Sequence, residues 1–145
     1  MKGPYILVAE DSQSDIDILE WAFTKSGVEA RLHFVRDGQE AVEYLEKATS
    51  GQPNVEFPAL LLLDLKMPRM SGFEVLKWLQ TVPASRRPIV VVFTASDVPE
   101  DVRRALDLGA RSYLVKPIDF AAMIDVARSL GGILAEELLA KCDPR

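Results

Sequence analysis

Short apolar runs alternate with amphipathic stretches along the whole chain. The run Leu60-Leu61-Leu62-Leu63 is too short for a helix and is closed by turn residues, so it reads as a strand buried on both faces, ending in one carboxylate, Asp64. Tyr5-Ile6-Leu7-Val8-Ala9 repeats the pattern and ends in Glu10-Asp11. Residues 30–35 alternate, residues 88–94 are β-branched throughout and end at Thr94, and residues 111–115 run into Lys116-Pro117. Helical spacing fills the intervals. Ile16, Leu19, Ala22 and Phe23 follow Ser14 as a candidate N-cap and close at Gly27, while Ile18 and Trp21 lie off that stripe. Asp37-Gly38 turns into a helix over 39–46, and Ser71-Gly72 opens one carrying Val75, Leu76 and Leu79. Asp97 and Pro99 start a short helix through Val102 and Leu106, with Gly109 as its C-cap. After Asp119, the residues Phe120, Met123, Ile124, Ala127 and Leu130 keep helical spacing until Gly131-Gly132, which predicts a kink before Ile133, Leu134, Leu138 and Leu139.

Five βα units in succession require a parallel sheet with right-handed crossovers and helices on both faces, an α/β doubly wound architecture. Ligands of such sheets bind at the C-terminal edge of the strands. Four strands deliver reactive groups there: Glu10 and Asp11, Asp64, Thr94, and Lys116. Three carboxylates together repel one another and call for a cation, and an oxygen-only donor set suits Mg²⁺ better than Zn²⁺. A carboxylate beside Mg²⁺, an ammonium and a hydroxyl is a competent nucleophile toward a phosphoryl group, because the cations neutralise its equatorial oxygens. The expected product is an aspartyl phosphate on Asp64.

Composition narrows the setting. At 145 residues and 48% apolar content, one domain over 1–145 with a real core is expected, the loop at 49–54 being a loop tip rather than a boundary. A net charge of -5 argues against nucleic acid and anionic lipid as partners. One cysteine, Cys142, excludes an intrachain disulfide, and one histidine, His33, offers no zinc cluster. The first apolar run is too short for a signal peptide or a membrane span, so a soluble, cytoplasmic protein is expected.

Glu10-Asp11, Asp64 with Met67-Pro68 and Ser71-Gly72, Thr94-Ala95, Tyr113 and Lys116-Pro117 together resemble the receiver domain of two-component response regulators, across nearly the whole chain. The resemblance implies a flavodoxin-like (βα)5 fold with strand order 2-1-3-4-5. It implies that Asp64 is the phosphoacceptor and that Asp11, Asp64 and the backbone carbonyl of Lys66 hold Mg²⁺, with Glu10 acting indirectly. Thr94 and Lys116 would hold the phosphoryl oxygens, and Lys116-Pro117 would be a cis peptide. Thr94 and Tyr113 would form the switch, Tyr113 turning into the space Thr94 leaves. The loop around 48–58 and the extension at 131–142 look most like stand-alone regulators paired with bacterial phytochromes. Lys66 departs from that group, which often has a small polar residue there; with Ser96 it flanks the approach of water to the phosphate.

The implied phosphodonor is a sensor histidine kinase, a bacteriophytochrome in that sub-group, or a histidine phosphotransfer protein. The activity is signalling with self-catalysed phosphotransfer and hydrolysis. A haloacid-dehalogenase phosphatase would need a second Asp where Lys66 stands, and a flavin site would place phosphate on the acidic Glu10-Asp11 turn. A constitutive interaction or dimerisation module on the same fold is the remaining alternative. With no second domain expected, output is by surface binding, and the apolar residues after Gly132 predict a homodimer through the last helix.

Overall fold

Every predicted strand and helix is present in the computed structural model, which describes residues 4–142, the side chains of 138 and 140–142 excepted. The strands are β1 (Tyr5–Ala9), β2 (Arg31–Val35), β3 (Leu60–Leu63), β4 (Ile89–Thr94) and β5 (Ser112–Val115). The helices between and after them are α1 (Gln13–Ser26), α2 (Gly38–Thr49), α3 (Gly72–Leu79), α4 (Pro99–Asp107) and α5 (Phe120–Cys142). All pairings are parallel and the order is β2-β1-β3-β4-β5, the flavodoxin-like topology.

The two-residue period of β3 explains its unbroken apolar sequence. Leu60 and Leu62 face a layer made by α1 and α5, including Leu19, Phe23, Met123 and Leu130. Leu61 and Leu63 face the opposite layer, where Leu45, Val75, Leu76 and Ala105 come from α2, α3 and α4. All four leucines are fully buried, each worth about 2–3 kcal/mol of apolar transfer. The β1 register pairs Ala9 with Leu63, and β3 pairs Leu63 with Val92, so β1 and β3 end level, β4 runs two residues further to Thr94, and their terminal groups meet at one edge.

Three local readings change. The α1 cap is Ser12, whose hydroxyl accepts from the Asp15 amide, rather than Ser14. In α4 it is Ala105 that reaches the core while Leu106 is exposed, because the helix packs closely enough to admit only a small residue. Finally, α5 runs unbroken through Gly131-Gly132. The first glycine is there for packing: a Cβ at Gly131 would sit 2.9 Å from Val28 Cγ2, whereas Gly132 has open space. Gly132→Ala should therefore stabilise the fold by up to about 1 kcal/mol, through helix propensity alone. Gly131→Ala should gain less or lose stability; urea unfolding midpoints of the pair check this.

Candidate functional site

The strand ends are locked to one another by backbone bonds before any side chain acts. The Asp64 amide donates to the Ala9 carbonyl at 3.2 Å, and the Lys116 amide donates to the Thr94 carbonyl at 2.7 Å. From this frame Lys116 Nζ reaches three carboxylates: Glu10 Oε2 at 2.6 Å, Asp64 Oδ2 at 2.8 Å and Asp15 Oδ2 at 2.8 Å. Glu10 and Asp64 are buried, the lysine nearly so. The Ser12 amide donates to Glu10 Oε1 at 3.1 Å and the Lys66 amide to Asp64 Oδ1 at 3.3 Å, so each buried carboxylate uses both oxygens. Asp11 stands at the exposed rim. One carboxylate oxygen from each of Glu10, Asp11 and Asp64 lies within 4.8 Å of the other two. Such hard oxygen donors, carrying more negative charge than the one lysine balances, fit Mg²⁺.

Electrostatics follow from the geometry. Burial pushes the Glu10 carboxyl up to about 7, with the Asp64 charge adding to it, against the bond from Lys116 and the Ser12 amide. For Lys116, burial works against the charged form, but the bonds to Asp15, Asp64 and Glu10 prevail and raise it above the ordinary lysine range.

The turn from Leu65 to Ser71, which carries the Lys66 carbonyl, is fixed from both ends. Gly72 donates its amide to the Leu65 carbonyl at 2.9 Å, and a Cβ there would fall 2.3 Å from the Asp64 carbonyl oxygen. Gly38 donates to the Met70 carbonyl, which would lie 2.1 Å from a Cβ at that position. Between them Arg69 takes the left-handed conformation, φ 64°, and its Nε donates to buried Asp37 at 2.7 Å. That bond holds the Asp37 carboxyl below its usual range. Only glycine tolerates the two close backbone approaches.

Thr94 is buried at the end of β4. Tyr113 is half-buried, its hydroxyl donating to the Ser96 carbonyl at 2.9 Å, and the Ser96 hydroxyl donates to Asp101 at 2.6 Å. Lys66 points to solvent. No described peptide bond is cis, so the expected cis bond at Lys116-Pro117 is replaced by a trans one. Trans is the intrinsic preference of an X-Pro bond by about 0.5–1 kcal/mol, and Lys116 makes all its carboxylate contacts with it. Asp15, an acid in the first turn of α1, is a site residue that the local sequence pattern does not single out. Its signal was its place on the turn that follows Glu10-Asp11 across the strand edge from Lys116.

A sheet of this order with acids after β1 and β3, a buried hydroxyl ending β4 and a lysine after β5 has the features of a signalling receiver. Residues 6–128 match the response regulator receiver domain model, and the chain belongs to that family, the receivers of two-component signalling. It is 36% identical over 115 residues to the probable methanogenesis regulatory protein FilR2 of Methanothrix harundinacea, covering 79% of this chain and 73% of that one. Response regulator Rcp1 of Synechocystis sp. is 34% identical over 77% of this chain and 75% of its own. The crystal structure of the Mn(2+)-bound form of Rcp1 superposes with TM-score 0.76 at 30% identity over 88% of this chain and 91% of that one. That of the phosphorylated cyanobacterial phytochrome response regulator RcpA gives 0.79 at 30% identity, over 91% and 94%.

Proposed function

We propose that this chain is a phosphorylation-dependent receiver in which Asp64 accepts a phosphoryl group from a histidine of a sensor kinase or phosphotransfer protein. The observation that carries the reading is the Lys116 ammonium bonded at once to Asp64 and Glu10, beside the open carboxylate of Asp11. An Asp64 carboxylate oxygen attacks phosphorus, and the bond from phosphorus to the donor nitrogen breaks, its electron pair staying with the imidazole. Lys116 neutralises an equatorial oxygen and the Thr94 hydroxyl donates to another. Asp11, Asp64 and the Lys66 carbonyl, with Glu10 behind them, would hold Mg²⁺, which supplies further charge neutralisation when bound. Phosphorylation draws Thr94 toward the new group and Tyr113 into the space it leaves, which reshapes the surface around α4, β5 and α5.

Histidine docking has a suitable neighbour. Ile118 is 101% exposed, Phe120 is largely and Trp21 partly exposed, and the last two rings lie 6.0 Å apart. This apolar rim flanks Lys116 and suits a helical phosphodonor. The likeness to RcpA and Rcp1 favours a phytochrome-type kinase as input. We place the chain as one receiver over 1–145, in the cytoplasm with such a kinase; no described helix is long and apolar enough to cross a membrane. The extension 131–142 offers exposed Leu139 for a homodimer; the Leu138 and Cys142 side chains assigned to that interface lie outside the described residues. Sedimentation finding only monomer, with or without phosphate, would end the dimer.

The test is incubation with Mg²⁺ and acetyl phosphate followed by intact mass and peptide mapping. A base-labile adduct of one phosphoryl group on the Asp64 peptide is expected, and none should form when EDTA removes the metal beforehand. No adduct, and no structural response to beryllium fluoride, would leave the constitutive interaction module.

A further inference from the structure

We propose that Asp15 is a positioning residue that holds the Lys116 ammonium back from the phosphoryl group and so slows both the formation and the hydrolysis of the aspartyl phosphate. The proposal rests on the phosphoacceptor reading above.

An ammonium has three N–H donors, and here three carboxylate oxygens crowd it: hydrogen bonds to Asp15 and Asp64, both at 2.8 Å, and an ion pair with Glu10 at 2.6 Å. To reach a phosphoryl oxygen Lys116 must give up one of them. The three partners are not equivalent. Glu10 is buried and tied to the Ser12 amide, and Asp64 carries the phosphoryl group itself. Asp15 lies outside the trio of acids that could share a cation, and its side chain is 37% exposed, so water can solvate it when the lysine leaves. It is therefore the partner displaced. Until then it pulls the ammonium toward α1, where apolar Ile18, Phe93 and Met123 line the cleft beside it and weaken solvent screening.

The same charge neutralisation operates in both chemical steps. In formation, an Asp64 oxygen bonds to phosphorus and acetate leaves with the electron pair of the broken bond. In hydrolysis, a water oxygen bonds to phosphorus, the Asp64 carboxylate leaves with its electron pair, and the water protons remain on inorganic phosphate and solvent. Each transition state places charge on the oxygens that Lys116 serves, so freeing the lysine accelerates both.

The experiment measures adduct formation from acetyl phosphate, and its decay after donor removal, at saturating Mg²⁺. Wild type, Asp15→Asn, Asp15→Ala and the charge control Asp17→Asn are compared, with thermal melts for folding. Both Asp15 variants should speed formation and decay by a common factor of about twofold to fivefold, the scale of a part-exposed ion pair, leaving the steady-state adduct level unchanged; Asp17→Asn should change neither. Faster formation with unchanged decay would mean that Asp15 only repels the anionic donor, and would overturn the proposal. Unchanged or slower rates in both steps would also overturn it. A wild type that takes no adduct would instead remove the phosphoacceptor reading on which it rests.

Discussion

Asp64→Asn should abolish the phosphoryl adduct completely while leaving the protein at least as stable as wild type. The amide keeps the size and shape of the side chain. Its single carbonyl oxygen can still accept from Lys116, which bonds Asp64 Oδ2 at 2.8 Å, and what is given up is the longer 3.3 Å bond from the Lys66 amide to Oδ1. What it lacks is the nucleophilic oxygen anion. It also removes one of the buried like charges that oppose one another at the strand edge, since Asp64 works against ionisation of Glu10. Lys116 retains Glu10 and Asp15 as partners. Relief of this repulsion should raise stability at neutral pH by about 1 kcal/mol. Intact mass with acetyl phosphate and a urea titration on the same samples check both halves; an adduct on the variant would assign the acceptor elsewhere.

Stability should fall as pH rises across the mildly acid range, because of Glu10. Burial pushes this carboxyl up to about 7 in the folded chain, against 4.5 for an ordinary glutamate. Between those values the unfolded chain has released the proton that the native chain still holds. Stability therefore declines with rising pH through this window and levels off above about 7, for a total of about 2–3 kcal/mol. Glu10→Gln should flatten most of that slope and leave the fold near its low-pH stability throughout. Urea midpoints from about pH 5 to about pH 8 measure it. A wild-type profile that is flat or rises would show Glu10 ionised in the native state. Protons and metal compete for the same carboxylates, so Mg²⁺ affinity should weaken below neutrality.

The parts of this molecule that were legible in its sequence are those fixed by local pattern. The leucines of β3 specify a doubly buried strand, and the acids after β1 and β3 and the lysine after β5 need only parallel topology to meet. The readings that changed depend on tertiary context. Ser12 rather than Ser14 caps α1, because the helix begins at Gln13, two residues sooner than the helical stripe suggests. Gly131 reads as a helix breaker until Val28 is seen against it. The latch between Arg69 and Asp37 links residues on different units, and nothing in either neighbourhood marks the other. Asp15 and Lys116 are 101 residues apart, and their contact needs the sheet order as well as the turn geometry after Glu10.

The two-layered core also separates the two tryptophans. Trp21 lies on α1 at the rim beside Phe120, 39% exposed, while Trp78 packs from α3 into the opposite layer. A five-stranded sheet stands between them. Intrinsic fluorescence thus combines the more exposed Trp21 with a half-buried Trp78 on the far side of the sheet. With Trp78→Phe, the remaining signal comes from the rim beside Phe120 alone, so changes there can be followed without a dye or an engineered cysteine.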